Sequence, residues 1–306
     1  WGGVIAGALF VLPSLLILIA LSWVYIAFGD VPLVAGIFYG IKPAVTAIVL
    51  QAAHRIGSRA LKNNWLWAIA GASFVAIFAI NLPFPLIVLG AALIGYLGGR
   101  YAPAKFSVGG GHGAADKSCG AALIDDDTPP PAHTRFRWSR LALILLVGAL
   151  LWLLPMGLLT ALFGWDGSLT QMGWFFTKAA LLTFGGAYAV LPYVYQGAVE
   201  QFQWLNAGQM IDGLALGETT PGPLIMVTQF VGFMGAMRDT GAMPPLLAGT
   251  LGGLLTTWVT FVPCFLWIFL GAPFIERLRD NRALSAALTA VTAAVVGVIL
   301  NLAVWF

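Results

Sequence analysis

Long apolar runs, nearly free of charge, recur over residues 4–28, 32–53, 141–163, 244–270 and 283–306. A helix needs about 20 mainly apolar residues to cross a hydrocarbon core of roughly 30 Å, and each of these runs is long enough. Two shorter runs, 65–80 and 86–97, flank the segment Asn81-Leu82-Pro83-Phe84-Pro85, whose prolines break any continuous helix, so they read as a helical hairpin. Membrane barrels use alternating strands of roughly ten residues, far shorter than these runs. The expected fold is therefore all-α, a polytopic transmembrane bundle. The first run lacks a basic leader stretch and is itself long enough to span, so it reads as a span and not as a cleavable signal.

Composition excludes the alternatives. The chain is 60% hydrophobic and 9% charged, against about 25% charged residues in an ordinary soluble domain. That is too little charged surface for a water-soluble enzyme or a nucleic-acid-binding protein. The net charge of +3 does not change this, because the Lys and Arg residues sit in short clusters between the runs. Cys119 and Cys264 are far apart, and His54, His112 and His133 form no set with a nucleophile, so neither a metal site, a cofactor nor an enzyme is expected.

Between residues 99 and 140 the character changes to Gly109-Gly110-Gly111-His112-Gly113, Asp125-Asp126-Asp127 and Pro129-Pro130-Pro131. Such a segment buries too little apolar surface to offset its ordering entropy, and it is expected to be a disordered cytoplasmic linker. It divides the chain into a first part, 1–98, and a second part, 141–306.

The two parts are related by a weak repeat. At an offset of 250 residues Gly2-Gly3 falls on Gly252-Gly253, Pro13 on Pro263, Asp30 on Asp280, Ala44-Val45 on Ala294-Val295 and Leu50 on Leu300. The link near Gly29-Asp30 has no Lys or Arg, whereas its equivalent holds Arg277, Arg279 and Arg282. Under the positive-inside rule these two links face opposite sides of the membrane. Arg55, Arg59 and Lys62, and Arg135, Arg137 and Arg140, then fall on the cytoplasmic side. Opposed copies form an inverted-topology repeat, an architecture of secondary transporters whose site lies between the copies near the midplane. The second copy has the stretch 173–250 ahead of its matched part, and an equivalent stretch is expected ahead of the first copy in the complete protein.

That stretch carries the chemistry. Two Gly/Pro interruptions cut it into pieces too short to span, one over Leu182 to Val194 and one over Asp212 to Gln229, continuing to Gly232. In the second, Pro221 and Pro223 lack amide protons, and a short helix is expected to start near Pro223. Its free amides and positive dipole end, with the Thr219 and Thr220 hydroxyls and Gly222 just before, form a candidate anion site. Gly185-Gly186 offers a second close-approach point. Broken helices at membrane depth are tolerated where they are buried in protein or line a wet cavity. The competing explanation is packing glycines and proline kinks, which are frequent in membrane helices.

Ionisable residues add to the pattern, since a charge at the centre of a membrane helix costs about 2.5–3.5 kcal/mol on insertion scales. Lys42 lies mid-run, Lys178 precedes the Gly-Gly break and Glu218 adjoins the second turn. Lys42 and Lys178 are candidate substrate cations. The alternatives are a Lys42 salt bridge to Asp212 or Glu218, and snorkelling by Lys178. Glu218 and Asp212 are the candidates for proton coupling, or partners of a lysine.

Phe184-Gly185-Gly186, Val190-Leu191-Pro192, Glu218 and Thr220-Pro221-Gly222-Pro223, in this order, resemble the chromate ion transporter family. Compatible hydropathy extends the likeness over nearly the whole chain outside the linker. The resemblance implies homologous halves of opposed orientation and export of chromate from the cytoplasm across the inner membrane. It further implies a drive from the membrane potential or a proton gradient, with chromate resistance as the outcome. It also implies broken-helix motifs in the N-terminal half, which this sequence does not show, so the chain by itself is expected to be inactive in transport. The expected partners are chromate or a sulfate-like oxyanion and the lipid bilayer, with no nucleic acid; a homodimer is compatible with this reading. A passive oxyanion channel and a non-transporting membrane scaffold are the competing functions.

Overall fold

The computed structural model describes residues 2–29, 31–106, 136–183, 186–274 and 281–305. Asp30, His112, Cys119, His133, Arg135, Phe184, Gly185, Arg277 and Arg279 lie outside the described residues, as do positions 107–135 of the expected linker. In chain order the helices are α1 (Gly2–Phe28), α2 (Pro32–Ala60), α3 (Asn64–Ile80), α4 (Phe84–Tyr101), the short α5 (Pro103–Phe106), α6 (Trp138–Phe163), α7 (Ser168–Leu181), α8 (Ala187–Tyr195), α9 (Ala207–Thr219), α10 (Val227–Arg238), α11 (Pro245–Gly271) and α12 (Arg282–Trp305). A π-helical segment, Gln196–Gln201, continues α8, and a 3-10 turn, Leu224–Met226, leads into α10. Helices extend into both ends of the expected linker, since α4 runs to Tyr101 and α6 begins at Trp138.

Among the described residues, α1, α2, α4, α6, α11 and α12 are each long and apolar enough to cross a membrane. The protein is a multi-pass, all-α membrane protein. The expected break between α3 and α4 has a clear local cause. Asn81 takes the left-handed conformation, φ 55° and ψ 36°, and its amide caps the carbonyls of Ala76 and Ile77. Pro83 and Pro85 then start α4, where a missing amide costs nothing. Large apolar side chains of α1, α2 and α6, such as Leu9, Leu33 and Leu154, are exposed on the outside of the described bundle.

Helix α12 is the most enclosed span. Ala290, Ala293, Ala294, Val295, Val298 and Ile299 have no exposed surface, and α12 packs against α2, α3 and α4. Lipid tails are as apolar as leucine, so close backbone approach and dispersion, not water exclusion, hold such an interface. At Gly297 a Cβ would lie 2.0 Å from the Ala70 carbonyl oxygen, and at Gly95 it would lie 2.6 Å from the Ala290 Cβ. Helices α1 and α11, which the repeat aligns with each other, run antiparallel side by side. Gly3 lies beside Phe269, Gly7 beside Phe265, and the Trp23 indole donates to the Thr250 hydroxyl at 3.0 Å.

Candidate functional site

Residues 168–183 and 186–238 do not form simple spans. They fold into two hairpins of short helices, interrupted where the Gly/Pro segments lie. In the first hairpin Phe175 of α7 stacks on Tyr193 of α8, with ring centroids 4.8 Å apart, and fills the space beside Gly197. In the second, Gly213 of α9 lies against Phe230 and Gly217 against Val227, so α9 and α10 are also antiparallel. The outer ends of both hairpins meet. The Ser168 hydroxyl donates to Asp239, the Arg238 guanidinium to the Gln203 carbonyl, and Trp204 covers Gly235. Both hairpins therefore open toward one face and send their tips into the bundle.

Neighbouring helix α1 fixes the depth of the second tip. A Cβ on Gly222 would lie 2.6 Å from the Cβ of Ser14, and Ser14 is at the middle of the 27-residue α1. The 14 residues of α7 extend about 21 Å, enough to bring the first tip to similar depth. The turns are dictated by sequence. Pro221 cannot donate to a continuing α9, Gly222 takes φ 143°, and Pro223, at φ −73° and ψ 129°, precedes the new turn. Gly186 takes φ 110° with open space where a side chain would point.

The tips are tied to each other, because the Tyr188 hydroxyl at the start of α8 donates to the Glu218 carboxylate near the end of α9. The amides of Leu224 and Ile225 head the 3-10 turn and α10, and the first amides of α8 head the other hairpin arm. Leading amides of a helix have no partner within it and carry its positive dipole end. Both arms thus present donors toward the tip region.

The expected site residues fall in three places. Gly186, Glu218, Thr219, Thr220, Pro221, Gly222 and Pro223 lie at the tips. The Thr219 hydroxyl, however, donates to the Ala215 carbonyl at 2.9 Å, and that of Thr220 to Leu216 at 2.6 Å. Their protons are engaged by the last turn of α9, which leaves backbone amides as the tip's donors. Lys42 and Asp212 form an ion pair at 3.3 Å, and the Tyr25 hydroxyl donates to the other Asp212 oxygen at 3.0 Å. This cluster joins α1 and α2 to α9. It is displaced from Glu218 by six positions along α9, or about 9 Å. Lys178 is in neither group and lines a separate cavity beside α7.

Sequence reasoning passed over Tyr25 and Tyr188, the phenols that bind the two acids. Tyr188 stood inside the first interruption as a hydroxyl among apolar residues, a usable signal. Tyr25 is joined to Asp212 across 187 positions, and no spacing announces it. Gln229 was also passed over. It is fully buried on α10, and among the described residues neither atom of its amide has a partner.

A family model described as chromate transporter matches residues 1–96 and 170–306. The chain is 29% identical over 299 residues to the chromate transport protein of Cupriavidus metallidurans, covering 97% of this chain and 63% of that protein. It is 31% identical over 305 residues to the chromate transport protein of Pseudomonas aeruginosa, covering 97% and 62%. It is 28% identical over 299 residues to the probable chromate transport protein of Synechococcus elongatus, covering 97% and 64%. The chain thus spans less than two thirds of the length of these relatives. No solved structure matches it.

Proposed function

Because the chain belongs to the chromate transporter family, we propose that it takes part in secondary active export of chromate across the cytoplasmic membrane, giving chromate resistance. The observation that carries this reading is the meeting of two hairpin tips at mid-depth, each turning through a glycine with positive φ and each headed by helix amides. Chromate is a tetrahedral dianion that must exchange its hydration shell for fixed donors inside a membrane. Helix amides and dipole ends supply donors without introducing a competing acceptor. Sulfate has the same shape and charge, so it competes for the site.

Glu218 is the proton-coupling group of this scheme. Its carboxylate shares the tip region with the substrate, so an arriving dianion favours protonation of Glu218, and departure favours release of the proton. Asp212, held by Lys42 and Tyr25, is a second acid whose pairing changes if the α9–α10 hairpin moves against α1 and α2. The antiparallel pairing of α1 with α11, which the repeat aligns, supports copies of opposed orientation. Arg55, Arg59 and Arg100 lie toward the ends of α2 and α4, Lys105 on the adjoining α5, and Arg137 and Arg140 at the start of α6, supporting a cytoplasmic location for those ends.

Everted vesicles carrying a protein of the relatives' full length that contains this chain test this reading. Chromate should accumulate in them when energised, sulfate should compete, and an uncoupler should stop accumulation. Equilibration unaffected by the uncoupler would instead indicate a passive channel, and no movement of chromate would refute transport.

A further inference from the structure

The cavity beside α7 has a volume of about 710 Å³ and lies between the first hairpin and the turn joining α3 to α4. Its polar lining comprises Asn81, Lys178, Tyr193, Gln196, Glu200 and Gln201. Several of these groups have hydrogen-bonding capacity that no partner among the described residues uses. Among the described residues Lys178 makes no ion pair or hydrogen bond, and its ammonium rests 5.8 Å from the Trp174 ring centroid. Gln196 accepts from the Phe84 amide at 3.4 Å, and its NH2 group has no hydrogen-bond partner among the described residues. The side chains of Asn81, Glu200 and Gln201 make no hydrogen bond among the described residues. In a chain with 9% charged residues, a cation and a carboxylate converging on one cavity without pairing need an explanation.

The backbone has been shaped to the same end. Gln196–Gln201 is π-helical, a rare conformation that recurs at functional sites. Its i to i+5 bonding sets Gln201 nearly over Gln196, where α-helical geometry would turn it well away. Gln196, Glu200 and Gln201 consequently share the wall of the cavity. Across from them, Lys178 belongs to α7, and Asn81 comes from the α3–α4 turn of the first part of the chain. The wall is assembled from both parts.

We propose that this cavity is a second oxyanion site, in which a tetrahedral dianion is held by Lys178 and the side-chain amides of Asn81, Gln196 and Gln201, with Glu200 setting the site's charge. The proposal rests on the oxyanion-transport reading and adds a second station to it. With Glu200 ionised, the charges of Lys178 and Glu200 cancel. With Glu200 protonated, the cavity is a cation with several neutral donors, and a dianion enters accompanied by a proton. The groups facing Glu200 are Lys178 from α7, Tyr193 and Tyr195 from α8, and the neutral Asn81 and Asn301 from the α3–α4 turn and α12. Binding therefore strengthens as pH falls through the titration of Glu200.

Equilibrium binding of radiolabelled sulfate, with chromate as competitor, to the protein in lipid nanodiscs tests the proposal. The measurement is made between about pH 5 and pH 8, in wild type and in Gly186→Leu, which blocks the tip site. Gly186→Leu should retain one site. Adding Glu200→Gln should tighten that site by at least about tenfold at neutral pH and remove its pH dependence. Adding Lys178→Gln should weaken it by at least about tenfold. In a Cys119→Ser, Cys264→Ser background, Lys178→Cys should lose binding and regain it on reaction with aminoethyl methanethiosulfonate, which restores an ammonium. A gain of affinity and a chemical rescue cannot come from misfolding. Binding indifferent to both Glu200→Gln and Lys178→Gln, with wild type still binding sulfate, overturns the cavity site and leaves the transport reading standing. Failure of wild type to bind either oxyanion overturns both.

Discussion

Removing Lys42 should destabilise the protein more than neutralising Asp212, although both changes break the same ion pair. The charges are 3.3 Å apart, which at an effective dielectric of about 20 corresponds to roughly 5 kcal/mol of attraction. That figure is an upper bound, because the Lys42 side chain is only partly enclosed, at 37% exposed, while that of Asp212 is 9% exposed. After that discount, and with desolvation already opposing the pair, a single substitution should cost about 1–3 kcal/mol. The order follows from what is stranded. Asp212→Asn leaves an ammonium on a long, partly exposed stem that can snorkel away from the broken pair, and it keeps an acceptor for the Tyr25 hydroxyl. Lys42→Met leaves a buried carboxylate with the phenol alone. The assay is denaturant unfolding in mixed micelles followed by tryptophan fluorescence, run on both single variants and the double variant. The double variant should be more stable than the summed single losses predict, by about 1–2 kcal/mol. Strict additivity, or a larger loss for Asp212→Asn than for Lys42→Met, would refute the geometry and the exposure argument together.

Four further outcomes follow from the same structure. Gly222→Ala should lose at least about 2 kcal/mol, from a backbone conformation that disfavours side chains and from collision with Ser14, and Ser14→Gly should recover part of the loss in unfolding titrations. Gly297→Val should force α12 away from the Ala70 carbonyl, costing about 3 kcal/mol or more and lowering the yield of folded protein. Tyr188→Phe removes the bond between the two tips and should cut chromate transport by about tenfold or more, with a stability loss of only about 1–3 kcal/mol; unchanged transport would show that the bond is incidental. Glu218→Gln should leave oxyanion binding measurable but make transport insensitive to an imposed pH gradient, and retained sensitivity would remove Glu218 from coupling.

Much of the architecture was legible because lipid imposes strict rules. Length and apolarity located α1, α2, α6, α11 and α12, and Asn81 with two prolines located the α3–α4 turn. The interruptions were legible because Pro221, Gly222 and Pro223 have few backbone alternatives. What the sequence could not show is where long side chains end. Lys42, Lys178, Asp212 and Glu218 were candidates for one site, with a Lys42 salt bridge to Asp212 or Glu218 as the alternative; the paths of α2, α7 and α9 distribute them to three places, and the Lys42–Asp212 bridge forms. Nor could it show that Thr219 and Thr220 direct their protons to α9. A local choice between a backbone carbonyl and a ligand is decided by helix register at Ala215 and Leu216, and composition does not encode it. The π-helical register of Gln196–Gln201 is similarly silent, since Gln-Gly-Ala-Val-Glu-Gln is compatible with an ordinary helix.

The most direct test of the account is to locate the substrate itself, by an experimental structure of the protein with bound chromate in which chromium is identified by anomalous scattering. The account predicts a chromium peak between Gly186 and the leading amides of residues 224–225, with chromate oxygens within hydrogen-bonding distance of backbone nitrogens. Continuous helices through Gly186 and Pro221, or chromium sites that avoid the two tips altogether, would contradict it.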